Sequence, residues 1–437
     1  LIRNHSFSAF IRYRNYKDNV YWEVDSMANV DLEGLKPEDN IYLRGSQAIF
    51  GEQGSVIRSI NSFILNFNYS YGKKYFFSFI ANLDHLNEGY YVNQRENFYS
   101  AAVDYDLSKE KFMSIPDWIT AFHLYANFGQ AGNYPLNSLS NDLYSYDHYY
   151  TANDTIREGV SNSNLANHYL KHEKVTEYNF GSEIALFSNR LILTGDYYIK
   201  HFTDLLIQRT IPYYYGGGFF FQNIGKMENK GIEFSLELTP FERPDFAWTM
   251  KFGVASNNQV ITKLYEGEPI SFNDEDILFP DFYARENEDL GAITGYSYQG
   301  VWDDSLHSNT EPGDVRYVEK FGLAYLKFDS TSSQLTEDDK TIIGNSIPDF
   351  TCNWINTIRY KNFTCEMLWY AVFGVDKYNA TKACTYITGT NSEVRDMVLD
   401  TMNFMTNKAV YESSYFVEDA SFIRLKTLTF RYAQPKK

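Results

Sequence analysis

Side chains that move protons, attack carbonyls, hold metals or stack on ligands can each be recognised by residue type and spacing. Carboxylates come first, since Asp and Glu total 56 against 39 Lys and Arg, leaving a net charge of −17. Glu233 and Glu237 fall on one face of the alternating segment Ile232-Glu233-Phe234-Ser235-Leu236-Glu237-Leu238. Charges this regular read as a hydrated wall and not as the acid/base pair of a glycosidase. The eight histidines are scattered without ligand spacing, and no G-x-S-x-G, H-E-x-x-H or glycine-rich phosphate loop occurs. No enzyme is expected, and no cofactor.

Cys352, Cys365 and Cys384 are odd in number and lack C-x-x-C spacing, so neither a zinc site nor a disulfide framework is indicated. If Lys361-Asn362 closes a two-residue hairpin, Cys365 faces Ile358 and Cys352 faces Ala371, which keeps these two thiols apart. The acidic balance argues against nucleic acid as a partner, because phosphate recognition needs clustered Lys and Arg.

Aromatic residues are the remaining candidates. Tyr (37), Phe (34) and Trp (6) make up 18% of the chain, enough to supply stacking surfaces. The stretch 130–175 holds Tyr134, Tyr144, Tyr146, Asp147, His148, Tyr149 and Tyr150. Rings there would stack on sugars or peptide side chains while hydroxyls hydrogen-bond; packing on one another, or forming an aromatic girdle, is the alternative use. Tyr213, Tyr214 and Tyr215 precede three glycines and Phe219-Phe220-Phe221, a combination suited to a mobile gate or to a loop tucked into an opening. Trp302 is a further candidate contact.

The elements that must carry these residues have a period of two. In 62–71, Phe63, Leu65, Phe67, Tyr69 and Tyr71 alternate with polar residues. In 191–199, Leu191, Leu193, Tyr197 and Ile199 alternate with Thr194, Asp196 and Tyr198. Residues 230–239 and 246–254 repeat the pattern. The spacing predicts about twelve strands near 5–16, 60–71, 75–83, 97–106, 119–129, 176–187, 190–200, 230–239, 246–256, 351–360, 363–373 and 421–432. Short links alternate with long ones, the long ones being 17–59, 84–96, 130–175, 201–229, 257–350 and 374–420.

Mean hydropathy is −0.42 and no run of 18 apolar residues exists, so transmembrane helices are excluded. A closed barrel remains possible, since it needs only every second side chain to be apolar. Loop lengths sorted by sheet end fit a membrane barrel better than a soluble sandwich, whose loops have no reason to sort. No leader opens the chain, and Leu1-Ile2-Arg3 leads straight into an alternating segment, so the text reads as a piece of a longer protein. A soluble β-rich glycan-binding protein is the competing fold reading.

Asn223-Ile224-Gly225-Lys226-Met227-Glu228-Asn229-Lys230-Gly231-Ile232-Glu233 closely resembles a segment of the SusC/RagA-type TonB-dependent outer-membrane transporters. The order of other segments agrees. Glu173, Glu177, Gly181 and Phe187-Ser188-Asn189-Arg190-Leu191 lie upstream, and Gly295-Tyr296 to Trp302, Pro312-Gly313-Asp314 and Asp419-Ala420-Ser421-Phe422 to Tyr432 lie downstream. The likeness covers roughly 120–437.

The resemblance implies an all-β fold, a large antiparallel transmembrane β-barrel of about 22 strands with long extracellular loops, a size class known for plugged transporters. About 12 strands are covered here. Residues 1–437 would be the C-terminal part of the barrel, with the N-terminal plug, the first strands and the last strands absent. It further implies a bacterial outer-membrane location among membrane lipid, a SusD-like surface lipoprotein partner, TonB coupling through the absent N-terminal part, and glycan or peptide cargo. Asp196, Glu233 and Glu237 would face the lumen. An outer-membrane scaffold, adhesin or assembly component is the second functional reading. The resemblance departs at one place: 315–336 lacks the Asp-rich ladder that such proteins often carry, so no metal is expected there, although Asp314, Glu337, Asp338 and Asp339 remain as an acidic cluster.

Overall fold

Twelve alternating segments pair in chain order into one antiparallel sheet in the computed structural model. It describes residues 4–26, 50–88, 92–112, 115–133, 143–152, 155–165, 167, 169–212, 217–271, 283–301, 316–317, 324–327, 340–387 and 412–434. The strands are β1 (His5–Ser26), β2 (Phe50–Tyr71), β3 (Tyr75–Glu88), β4 (Val92–Asp106), β5 (Ile119–Asn133) and β6 (Glu173–Leu186). They continue as β7 (Leu191–Thr210), β8 (Phe219–Glu242), β9 (Phe246–Lys263), β10 (Phe350–Tyr360), β11 (Phe363–Phe373) and β12 (Phe422–Tyr432). Each strand lies beside the next in sequence, and β1 and β12 are the two edges among the described residues.

All twelve expected strands are present. At the short-turn end their limits fall within three residues of expectation, β8 running on to Glu242, with Tyr71 opposite Tyr75, Leu186 opposite Leu191 and Tyr360 opposite Phe363. Cys365 faces Ile358 and Cys352 faces Ala371, as the two-residue hairpin requires. At the other end the strands run on. The expected long link 84–96 narrows to 89–91 between β3 and β4, and 201–229 narrows to 211–218 between β7 and β8. At roughly 3.3 Å per residue, the 24 residues of β8 reach about 80 Å, well beyond an apolar band about 25 Å tall.

The register sorts side chains into two faces. Phe7, Ile11, Phe63, Leu65, Phe77, Val103, Phe180, Ile232, Phe234, Phe252, Trp354, Ile423 and Phe430 share one face, and all are exposed, Ile11 at 77% and Phe430 at 75%. So much apolar surface on one side of a sheet is incompatible with water. Polar intruders on this face are satisfied internally: Asn61 Oδ1 accepts from the Tyr13 hydroxyl at 2.8 Å, and Asn356 Oδ1 accepts from Trp248 Nε1 at 3.4 Å. The opposite face carries Ser8, Asn68, Ser78, Asp104, Asn127, Glu183, Asp196, Glu233, Glu237 and Lys251. No described helix is long and apolar enough to cross a membrane.

The densest packing lies outside the sheet, where the links β9–β10 and β11–β12 meet. Ala292–Gly295 pairs with Thr341–Asn345, Asp376–Tyr378 pairs with Val417–Asp419, and the helix α1 (Ala380–Ile387) packs close by. Ala383 and Phe416 are wholly buried. Lys340 Nζ meets Glu412 at 2.8 Å with both side chains almost fully buried, and the ammonium sits 5.5 Å from the Tyr296 ring centre. Gly295 permits this closeness, since a Cβ there would run into the Glu412 carbonyl. These expected polar loops are therefore one packed layer in their described parts.

The two faces make opposite demands on a charge. Phe234→Lys on the apolar face is expected to destabilise the folded protein in lipid vesicles by about 2–4 kcal/mol, with Ser235→Lys close to neutral. Denaturant unfolding followed by tryptophan fluorescence checks this, and equal effects at both positions would contradict a lipid-embedded apolar face.

Candidate functional site

The polar face offers two shallow concavities. One, of about 430 Å³ across β1–β5, is lined by hydroxyl, amide and carboxylate groups of Ser8, Ser78, Asn127 and Asp104 together with the rings of Phe76 and Tyr125. The other, of about 480 Å³, is lined by Asp196, Glu233, Ser235, Asn353, Tyr370 and Lys426 across β7–β12. Its two walls differ in sign. Asp196 stands directly opposite Glu233 on the β7–β8 side, whereas Arg424 and Lys426 lie 5.8 and 5.5 Å from the Tyr370 ring centre on the β11–β12 side. Glu237, two pleat repeats along β8 from Glu233, is paired with Lys251 at 2.8 Å.

Aromatic struts cross this face over glycines. Tyr125 of β5 lies across Gly181 of β6, and its hydroxyl donates to Asp196 Oδ1 of β7 at 2.8 Å. Tyr198 of β7 repeats the arrangement across Gly231 of β8 to Asn257 Oδ1 of β9 at 3.1 Å. A Cβ on either glycine would penetrate the tyrosine ring. Phe98 of β4 covers Gly132 of β5, with Lys174 Nζ of β6 5.9 Å from its ring centre. Asp196 is thus held by a structural hydroxyl, which leaves Glu233 as the more available carboxylate.

The Asn223–Glu233 segment, singled out by its wording, is a joint. Asn223 Oδ1 accepts from Lys171 N at 2.7 Å, while its Nδ2 donates to the carbonyls of Lys171 at 2.9 Å and Asp204 at 2.7 Å. The β7–β8 register shifts on either side of Gly225, where a Cβ would press on Leu205 and Ile207. Glu228 meets Lys230 at 2.5 Å and His201 at 3.6 Å. Upstream, Glu173 accepts from Leu206 N at 2.9 Å and Asn133 Nδ2 at 2.8 Å, and Glu177 meets Lys200 at 3.5 Å.

This joint anchors a strap before β6. Asn167 Nδ2 donates to the Phe221 carbonyl at 2.7 Å, and Asn167 Oδ1 accepts from Tyr169 N at 3.0 Å. Burial then alternates: Leu170 and His172 are buried, whereas Tyr169, 89% exposed, and Lys171 point outward. His172 sits in the electrostatic reach of Asp84, Glu96 and Lys174. Burial is the largest influence and lowers its pKa, Lys174 adds to the depression, and Glu96 and Asp84 oppose it. Sequence reasoning did not select Tyr169, Lys171 or the bracketing role of Asn223. A buried histidine hides the strap's alternation, and only the Asn-x-Gly wording marked the joint.

Of the expected contact residues, Tyr144, Tyr146, Tyr149 and Tyr150 lie in the hairpin strand Leu143–Ala152. It pairs with Thr155–Leu165, and that strand in turn bridges Phe219 and Phe220 in parallel. Tyr134, Tyr213, Tyr214, Tyr215 and Trp302 fall outside the described residues, as do Asp314, Glu337, Asp338 and Asp339. Asp196, Glu233 and Glu237 share one face of β7 and β8. Among the described residues no group of three or more His, Cys, Asp or Glu is placed to hold a metal.

A family model for TonB dependent receptor-like β-barrels matches residues 4–351. The chain is 31% identical over 388 residues to TonB-dependent receptor P3 of Formosa agariphila, covering 84% of this chain and 38% of that protein. It is 25% identical over 402 residues to TonB-dependent receptor SusC of Bacteroides thetaiotaomicron, covering 85% and 37% respectively. The solved structure of the RagAB peptide transporter aligns with a TM-score of 0.72 at 22% identity, over 99% of this chain and 47% of that chain. The chain therefore spans about two fifths of the length of these curated relatives.

Two outcomes follow from the joint and the struts. Gly231→Ala is expected to destabilise by about 1–3 kcal/mol through overpacking against Tyr198, and the double variant with Tyr198→Ala should recover part of that loss in the same unfolding assay. The strap should respond to pH. His172 resists protonation when folded, so its stabilising contribution is complete above the ordinary histidine pKa of about 6.5 and is lost as pH falls. Protection of 169–172 against amide exchange, taken relative to the intrinsic base-catalysed rate at each pH, should fall between about pH 7.5 and 5, and His172→Gln should flatten that response. Constant protection across this range in the unsubstituted protein would refute the assignment.

Proposed function

Because the chain belongs to the TonB-dependent receptor β-barrel family, as a SusC/RagA-type outer-membrane barrel segment, we propose that its polar face lines the lumen of an energised nutrient importer. In this reading residues 1–437 are the later part of the barrel. An N-terminal plug, with strands before β1 and after β12, completes it, since both edge strands lack partners among the described residues and backbone groups in hydrocarbon must be paired.

The single observation carrying the proposal is the division of twelve consecutive strands into an exposed apolar face and a mainly polar one. A wall wetted on one side suits passage of a polar solute. The cargo class proposed is a glycan fragment or a peptide, accepted from a SusD-like surface lipoprotein and driven through TonB. RagAB is titled a peptide transporter, which supports the peptide arm. Tyr169 and Lys171, presented outward from a strap fixed at Asn167 and Asn223, are proposed ligand contacts, as are the tyrosines of the 143–152 strand. The packed outer layer around Lys340 and Glu412 is the proposed seat for the lipoprotein.

Single cysteines test the lumen assignment. In the full-length protein, Glu237→Cys is expected to react with a membrane-impermeant maleimide and Leu236→Cys to stay unlabelled, with equal labelling counting against it. Deleting the full-length protein should abolish growth on one glycan or peptide source. Loss of TonB coupling should reproduce that defect, and unaffected growth on every such source would refute import.

A further inference from the structure

The rim where the short turns gather carries cations that neither the fold nor the import reading uses. Lys73 and Lys74 lie in the β2–β3 turn, and Lys109 and Lys111 lie in the link between β4 and β5, in a chain whose net charge is −17. Two are engaged locally. Lys74 meets Glu110 at 3.2 Å, and Lys109 meets Asp106 at 2.6 Å while donating to the Lys73 carbonyl at 2.9 Å. Glu110 also accepts from the Tyr75 hydroxyl at 2.7 Å, so both nearby acids are occupied. Lys73 and Lys111 are exposed and form no ion pair with any described residue. Asp117 is the remaining acid on this link.

A row of rings lies along the apolar face at the same rim, joined to the lysine-bearing turn through Glu110, which meets Lys74 and accepts from the Tyr75 hydroxyl. His5, Tyr71, Tyr75 and Tyr105 stand opposite one another across β1–β4. Their ring centres are 4.7, 6.3 and 4.8 Å apart, and Tyr75 and Tyr105 are nearly parallel. Phe112, next to Lys111, is 75% exposed. Amphipathic rings of this kind sit at the level of lipid headgroups, apolar body inward and hydroxyl toward water. Cations placed just beyond them meet phosphate.

We propose that this rim is a binding site for an anionic glycerophospholipid. Lys73 and Lys111 take the headgroup phosphates, and the tyrosine row with Phe112 contacts the glycerol and the first methylenes. Charge complementarity and the shared rim select a lipid over a soluble anion, because a free phosphate would gain nothing from the rings.

The test uses the full-length protein in detergent, titrated with phosphatidylglycerol or phosphatidylcholine and read by native mass spectrometry. Phosphatidylglycerol should be retained more tightly by about fivefold for each contributing lysine, with the preference shrinking as ionic strength rises. Lys73→Asn with Lys111→Gln should erase the preference, Asn being suited to the left-handed backbone at position 73, where φ is 56°. Lys73→Arg with Lys111→Arg should keep it. Folding of each variant is read by heat-modifiable migration, and the single variants serve if the pair misfolds. Equal retention of the two lipids overturns the proposal, as does a preference that survives loss of both lysines, or displacement of phosphatidylglycerol by millimolar inorganic phosphate. None of these outcomes depends on whether the protein imports a nutrient.

Discussion

Lateral pairing of backbone groups is the constraint on which the rest of this structure depends. In hydrocarbon an unpaired N–H or carbonyl costs several kcal/mol, so each strand must hand every hydrogen bond to its neighbours. Antiparallel pairing in strict chain order does this with short turns at one end, from Tyr71/Tyr75 through to Tyr360/Phe363. Once the backbone is fixed this way, side chains have only two directions to point. Phe234 and Glu233 are therefore separated by a sheet and not by a distance along the chain, and the protein needs no apolar run to meet lipid.

The same constraint explains why residues that look chemical turn out to be architectural. A wide sheet with water on one side needs bracing across its staves. Tyr125 and Tyr198 supply it by lying over Gly181 and Gly231 to reach a second neighbour. Tyrosine and glycine at those positions are one unit, because the ring needs the missing Cβ. Asn223 does similar work at the outer end, where the β7–β8 ladder shifts register and would otherwise leave carbonyls exposed. What is left over on the water-facing side is a surface with a charge gradient, acidic toward Asp196 and Glu233 and basic toward Arg424 and Lys426.

How much was legible in the sequence follows from where that constraint operates. Strand limits at the short turns were readable because alternation and turn residues both end there, and the Cys352/Ala371 pairing followed from a two-residue hairpin alone. The outer limits were not. Phe219-Phe220-Phe221-Gln222-Asn223 continues β8 without alternating, since beyond the membrane neither face has to be apolar. The faces of Asp196, Glu233 and Glu237 were legible as a set, whereas the capture of Asp196 by Tyr125 was not, because it depends on a partner two strands away. Tyr169 escaped notice for a related reason: its neighbours Leu170 and His172 are buried in a strap that long-range contacts such as those of Asn167 and Asn223 hold in place.

The outer layer shows the complementary case, in which long-range packing takes over from local pattern. Lys340 and Glu412 belong to different links, and no periodicity connects them. Bringing both charges out of water offsets much of what their attraction returns, so the pair adds little to net stability. Parting them, however, would leave a charge in a dry interior beside Tyr296. Alternative ways of docking the two links are thereby penalised, and Gly295 against the Glu412 carbonyl admits no bulkier fit. Two chain segments whose lengths would allow many arrangements are in this way held to one. A wall built by local pairing can tolerate variable loops at its outer end, but a surface that presents one shape to a partner has to be fixed by contacts of this kind.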